Sequence, residues 1–211
     1  MTYNQWVQQH QGLSLGQRFL KRSFDLLVAI VGLIVFGWLI LLGWLGATLD
    51  TGLNGFFTQT RVGRYGKTFK VIKLRTMKVS KTVTTTVTTK KDPRITRLGA
   101  ILRKTKIDEL PQLINVLLGQ MSLVGPRPDV PGFADKLEGT DRIVLSIRPG
   151  ITGPASLKYR NEEEILAKQA DPERYNREVI FADKTRINRE YIEKYSFIKD
   201  LQYIWQTAFG D

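Results

Sequence analysis

The run IDELPQLINVLLGQMSLVGPRP, residues 107–128, places an acidic pair, Asp108 and Glu109, among cations. Arg103, Lys104 and Lys106 precede the pair, and Arg127 follows it inside a Gly-Pro-Arg-Pro turn, Gly125 to Pro128. Carboxylates among cations suit phosphoryl chemistry, where charge neutralisation supplies much of the catalysis. A carboxylate kept ionised by a positive field can bind a metal or attack phosphorus. Mg²⁺ takes one or two carboxylates plus substrate phosphate oxygens, which makes Asp108 the candidate metal ligand. The two prolines stiffen the turn that carries Arg127, and an Arg can grip a phosphate bidentately. Lys73 and Arg75 in KLRTM, Arg103, Gln112 behind Pro111, and Arg148 in the Arg-Pro-Gly turn complete the candidate substrate contacts. Each has a plainer reading as a capping group, a turn residue or a membrane-facing cation. The concentration of charge around residues 103–127 weighs against that reading for Asp108, Glu109 and Arg127.

The helix that must hold the pair can be placed from its prolines and glycines. A cap at Thr105 would put Pro111 in the helix interior, where it loses a hydrogen bond and clashes with a carbonyl. A cap at Asp108 puts Pro111 in the first turn, where it is tolerated. The helix then carries Leu110, Leu113, Ile114, Leu117 and Leu118 as one apolar stripe and ends at Gly119. Its free N-terminal amides favour an anion.

The remainder of the chain bounds the chemistry. The 211 residues carry a formal net charge of +12, which favours an anionic partner. There is no Cys, and the single His, His10, lies in a polar N-terminal stretch, so thiolate and His-based sites are excluded or disfavoured. No nucleic-acid recognition motif stands out. The length suits one domain with its own core and an appendage.

Leu26 to Leu49 carries no formal charge and is closed by Asp25 and Asp50. As a helix at ~1.5 Å per residue it reaches about 36 Å, enough to cross a ~30 Å hydrocarbon core. Basic residues flank it on both sides: Arg18, Lys21 and Arg22 before it, then Arg61, Arg64, Lys67, Lys70, Lys73 and Arg75. Positive flanks prefer the cytoplasmic side. A re-entrant segment and a single span are left about level. Re-entry needs a break, for which Gly32, Gly37, Gly43 and Gly46 are the weak points and Gly37-Trp38 the best hinge. Residues 1–17 read as a loose arm and Phe56 to Lys73 as a hairpin or extended segment. The Thr-rich stretch Ser80 to Lys91 reads as a loop beside the site, and Ile95 to Arg103 as a short helix. Glu162 to Ala170 and Arg174 to Tyr195 read as polar helices. Ile198 to Trp205 marks a final amphipathic helix packed on the domain or lying on a membrane. A membrane-anchored basic module that recruits an acidic partner is the competing function, but it leaves the acidic motif unexplained.

These motifs together resemble the bacterial monotopic phosphoglycosyl transferases, also called bacterial sugar transferases. The resemblance runs from KRSFD (Lys21 to Asp25) through FTQTRVGRYGKTFKVIKLRTM and DPRITRLGAILRKTKIDELPQLINVLLGQMSLVGPRP to RPGITG. It implies a mostly helical α+β chain in three parts. These are an N-terminal arm (1–20), a re-entrant membrane helix (21–55) and a cytoplasmic-face catalytic domain with amphipathic interfacial helices (56–211). It implies transfer of a phospho-sugar from a UDP-sugar to undecaprenyl phosphate, at the bacterial inner membrane, with Mg²⁺ as cofactor. In that scheme Asp108 is the nucleophile, UMP leaves, and a phosphosugar–aspartyl intermediate passes to the lipid. Glu109 assists, with proton transfer as one option. Arg127 falls in a Pro-Arg-Pro segment associated with nucleotide binding, and Arg103 in the basic approach to the site. Expected partners are thus the UDP-sugar, undecaprenyl phosphate and membrane lipid; a homodimer is compatible with the sequence. Where many members bend the re-entrant helix at a Ser-Pro pair, this chain has Gly37-Trp38.

Overall fold

A computed structural model describes residues 12–79 and 92–210. Residues 1–11 of the arm and the whole Thr-rich stretch lie outside the described residues. The chain is a mostly helical α+β protein organised along one long helix, α1 (Leu15–Thr51). Helix α1 opens with a reciprocal capping box: Gln17 N–H donates to Ser14 Oγ at 3.3 Å, and Ser14 N–H donates to Gln17 Oε1 at 2.8 Å. Gly52, at φ 71°, ends it in the left-handed conformation. The helix therefore begins at Leu15, within the stretch read from the sequence as a loose arm.

Helix α1 is long and apolar enough to cross a membrane. It runs through Gly37-Trp38, the expected hinge, without interruption. With no Pro in the run, nothing removes an i→i−4 hydrogen bond, and a lone Gly costs only about 1 kcal/mol in a helix. Three of the other glycines serve close approach instead. A Cβ at Gly32 would lie 2.9 Å from Leu113 Cδ1, one at Gly43 2.5 Å from Leu74 Cδ1, and one at Gly46 3.0 Å from Leu98 Cδ2. Ala29 and Ala47, also fully buried, share this role. The other faces leave Leu27, Ile34, Trp38, Leu41, Leu42 and Leu49 exposed.

A β-hairpin follows, β1 (Phe56–Val62) antiparallel to β2 (Thr68–Leu74), with Phe57 opposite Lys73. Helix α2 (Arg97–Lys104) leads to a 3₁₀ turn (Ile107–Glu109) and then to α3 (Gln112–Leu117). Strands β3 (Ser122–Val124) and β4 (Gly150–Thr152) form a short parallel pair. Between them run two 3₁₀ segments, Ala134–Lys136 and Gly139–Ser146. The C-terminal part comprises α4 (Pro154–Lys158), α5 (Glu162–Ala167) and α6 (Pro172–Tyr175). A π-helical turn (Asn176–Ile180), α7 (Phe181–Glu193) and α8 (Phe197–Phe209) complete it.

The main core gathers Ala29 of α1, Val71 of β2, Leu113 and Val116 of α3, Met121, Leu123 and Val124 around β3, and Tyr191 and Ile192 of α7. Every layer therefore touches the structure that carries residues 107–127. Buried polar groups fix the register of these layers. Lys21 Nζ donates to Asp200 Oδ2 at 2.5 Å, tying α1 to α8, and Asp200 also accepts from the Tyr191 hydroxyl at 2.7 Å. Asp25 Oδ1 accepts from Leu123 N–H at 3.0 Å, tying α1 to β3. Such groups are tolerated in a core only when hydrogen-bonded.

Candidate active site

The acidic pair is not at a helix start. Lys106 adopts φ 59°, and the chain then forms the 3₁₀ turn Ile107–Glu109, closed by Leu110 N–H to Ile107 C=O at 3.2 Å. Helix α3 begins only at Gln112, with Pro111 at the cap and no side-chain cap. The expectation of Asp108 as N-cap is thus corrected. The left-handed residue at Lys106 turns the pair into a separate loop, and a non-glycine residue is held there only where its surroundings over-determine it. The expected leucine stripe is also revised. The buried face of α3 carries Gln112, Leu113, Asn115 and Val116, while Leu118 is exposed. Gly119, at φ 75°, ends the helix region as expected.

Asn115 explains the difference. It is fully buried; its Oδ1 accepts from Ile72 N–H at 3.0 Å, and its Nδ2 donates to Lys70 C=O at 2.8 Å and to Gln120 Oε1 at 2.7 Å. One amide side chain thus satisfies the free edge of β2 and fixes that strand against α3. Lys73 of β2 then lies beside the acidic pair.

Glu109 Oε1 accepts from Lys73 Nζ and from Arg127 Nη2, each at 2.7 Å. Burial alone would raise its pKa; the Arg127 and Lys73 cations overcome this and hold Glu109 well below the usual carboxylate range. Asp108 is 6% exposed, and its Oδ1 has no hydrogen-bond partner. Burial and the adjacent Glu109 charge push its pKa up, against Lys73, Arg103 and Lys106. The cations thus hold Glu109 well down, while at Asp108 they only partly offset burial and the Glu109 charge, and its pKa is raised.

Arg127 is held by backbone close approach. Gly125 N–H donates to Thr152 C=O at 2.9 Å and Gly150 N–H to Pro126 C=O at 2.8 Å. A Cβ at Gly125 would stand 2.6 Å from Arg148 C=O, and one at Gly150 2.1 Å from Gly125 N, so both positions require glycine. Arg61 of β1 steadies the other side, donating to Pro128 C=O at 3.2 Å.

Of the predicted substrate contacts, Lys73 and Arg127 join the pair directly. Arg103 lies close enough to lower the Asp108 pKa and is ion-paired with Glu163 of α5. Gln112 is buried, with its Nε2 lacking a partner. Arg75 and Arg148 hold backbone carbonyls. Arg75 Nε donates to Asn54 C=O at 2.8 Å, bracing the exit from α1. Arg148 Nε donates to Gly119 C=O at 2.8 Å, while Arg22 Nη1 reaches Val116 C=O at 2.7 Å. These two arginines satisfy carbonyls at the C-terminal end of α3, where cations are favoured.

Sequence reasoning missed a second set of residues. Glu162 and Glu163 of α5 reach back over the site: Glu163 pairs with Arg103, and Glu162 Oε2 accepts from Lys184 Nζ at 2.6 Å. Asp129, two residues past Arg127, and Lys184 line a cleft next to it. The signal was the i, i+3, i+4, i+7 spacing of Phe181, Lys184, Thr185 and Asn188 on α7.

Residues 16–210 match the model of a family described as bacterial sugar transferase. The chain is 36% identical over 203 residues to the UDP-glucose:undecaprenyl-phosphate glucose-1-phosphate transferase of Escherichia coli K12, which covers 93% of this chain and 41% of that protein. It is 32% identical over 203 residues to the exopolysaccharide production protein ExoY of Sinorhizobium fredii, covering 89% of this chain and 83% of that one. An uncharacterized sugar transferase of Haemophilus influenzae is 36% identical over 209 residues, 92% of this chain and 41% of its own length. The chain thus spans less than half of two of these relatives and most of the third. Asp108 and Glu109, the latter clamped by Lys73 and Arg127, lie wholly within the matched region, and the chain belongs to the bacterial sugar transferase family.

Proposed function

We propose that the chain transfers a sugar 1-phosphate from a UDP-sugar to undecaprenyl phosphate, with Asp108 as nucleophile. The observation that carries this is the unpartnered Asp108 Oδ1, buried beside a carboxylate that is already clamped by two cations. Attack by Asp108 on the β-phosphorus forms an oxygen–phosphorus bond and breaks the bond to UMP, which leaves with the electron pair. An oxygen of undecaprenyl phosphate then attacks the same phosphorus and releases Asp108. Arg127 and Lys73, gathered at Glu109 next to Asp108, would meet the diphosphate charge and favour the more highly charged transition state. Glu109, held ionised, is suited to orienting these two cations; the same low pKa makes it a poor proton donor near neutral pH. Asp108 is also the residue that would hold Mg²⁺: its free oxygen fits a hard cation, and one carboxylate suffices when phosphate oxygens supply further ligands. When bound, the ion neutralises phosphate charge.

The membrane reading follows from where α1 packs. It touches the globular part through Lys21 and Asp25, through Ala29 and Gly32, and again through Ile40, Gly43 and Ala47. A perpendicular span would carry one end about 30 Å away from a domain on one face. Contact at both ends and through the middle, with no break for a re-entrant turn, supports a helix that lies in the cytoplasmic face of the inner membrane without crossing it, its outer apolar side in lipid. Helix α8 starts beside it, Phe197 edge-on to Phe24 at 5.2 Å, and leaves Ile198, Trp205 and Phe209 exposed as a second interfacial element.

The test is UMP release from a UDP-sugar in the presence of Mg²⁺ and undecaprenyl phosphate. Asp108→Asn should abolish it. Near-full turnover by that variant would sink the nucleophile assignment.

A further inference from the structure

Two adjacent acids of α5 divide between two neighbouring helices. Glu162 Oε2 accepts from Lys184 Nζ of α7 at 2.6 Å, while Glu163 Oε1 accepts from Arg103 Nη2 in the last turn of α2. Consecutive residues on a helix point about 100° apart, so one turn of α5 reaches both α7 and α2. Its backbone is fixed on both sides of the pair. Glu164 N–H and Ile165 N–H donate to Asn161 C=O at 3.0 and 3.1 Å, and Leu166 is buried. Arg160, just before α5, donates from Nη2 to Gln206 C=O of α8 at 2.7 Å. Neither Glu162 nor Glu163 belongs to the acidic motif, and the transfer steps above use neither.

Arg103 is a cation that gains from such a partner. It stands near enough to Asp108 for its charge to act there, as do Lys73 and Lys106. An arginine side chain is rich in rotamers, and its planar fork matches a phosphate only when the plane is set. Glu163 engages Nη2 and leaves further guanidinium donors for a second anion. It also gives Arg103 a carboxylate other than Asp108, whose Oδ1 has no hydrogen-bond partner. Glu109 does the same for Lys73 and Arg127. We infer that Glu163 is a positioning residue for phosphoryl transfer: it holds the Arg103 guanidinium beside the nucleophile, open to a diphosphate oxygen and off the Asp108 carboxylate. The inference rests on the transfer reading above and extends the site to α5.

The measurement uses the full chain in detergent. UMP release is followed with Mg²⁺ and saturating undecaprenyl phosphate while the UDP-sugar is varied. The sugar donor is whichever of UDP-glucose, UDP-galactose and UDP-N-acetylgalactosamine the wild type turns over fastest. Wild type is compared with Glu163→Gln, Glu163→Asp, Arg103→Gln and the double variant Glu163→Gln/Arg103→Gln. Glu163→Gln should lower kcat about three- to tenfold with a smaller change in KM, because an unheld Arg103 meets the transition-state charge less well. Glu163→Asp, which keeps the carboxylate, should recover part of the loss. If Glu163 acts through Arg103, the double variant should match Arg103→Gln within about twofold. Melting temperatures should stay close to wild type, since a partly exposed ion pair contributes little to stability. An equal Glu163→Gln loss in the Arg103→Gln background would make the role of Glu163 structural and overturn the inference. So would unchanged kinetics in Glu163→Gln, or a higher kcat/KM, which would make Glu163 a competitor for Arg103. Failure of the transfer reading shows separately, as UMP release that survives Asp108→Asn; a wild type that releases no UMP would overturn both.

Discussion

At the scale of residues, the two acids of one motif are driven apart by their surroundings. Glu109 is paired twice and held ionised, while Asp108 is desolvated and its pKa is raised. If ionised Asp108 is the nucleophile, activity falls as pH drops through its pKa, so the acid limb of kcat/KM should lie above the ordinary Asp value of about 3.9. Glu109→Gln removes a charge that raises that pKa and leaves the cations that lower it. The acid limb should move to lower pH, with a lower maximum because Lys73 and Arg127 lose their anchor. A limb that stays put or moves up would show that another group titrates. Asp129 gives a stability counterpart. Burial pushes it up to about 6, so between about pH 4 and 6 the folded state holds a proton that the unfolded state has lost. Stability therefore falls as pH rises through that window. Asp129→Asn should be more stable than wild type at pH 7.5, by up to roughly 3 kcal/mol in denaturant unfolding, and the gap should close by pH 4.

At the scale of elements, the site is assembled by contacts far from it in sequence. Asn115 links α3 to β2 and so positions Lys73 for Glu109. Asn115→Ala would orphan the Ile72 N–H and the Lys70 C=O, at about 1–3 kcal/mol each. A clear drop in melting temperature is expected, together with a kcat loss larger than the KM change, since the strand carrying Lys73 is freed. Equal kcat at a lower melting temperature would restrict Asn115 to stability. Element reading from sequence succeeded where periodicity and punctuation agreed. The hairpin, α2, α3, the polar α5 and α7, and the amphipathic α8 lie near their expected places. It failed at Asp108, because a left-handed Lys106 has no composition signal: only the packed surroundings make that backbone tolerable. It did not foresee the carbonyl contacts of Arg75 and Arg148, because an arginine that braces a carbonyl and one that grips a phosphate look alike in a chain.

At the scale of the whole molecule, α1 both contributes to the core and is long and apolar enough to cross a membrane, buried along Ala29, Ile40 and Ala47 and apolar outside. Topology is the direct check. The chain has no Cys, so single cysteines placed near residues 5 and 60 report cleanly. Both should react with a membrane-impermeant reagent from the same side of the membrane. Labelling from opposite sides would establish a true span.

The sequence by itself determined the family and the ingredients of the candidate site: an acidic pair among cations, a stiffened arginine turn, a long uncharged apolar run and the motifs of one family. These are local properties, carried by residue type and spacing. Only the tertiary structure decided the division of labour. It clamped Glu109, left one Asp108 oxygen free, diverted Arg75 and Arg148 to backbone carbonyls, and brought Glu163 to Arg103. Burial and pairing depend on what the rest of the chain folds against each residue, and spacing along a single segment does not carry that information.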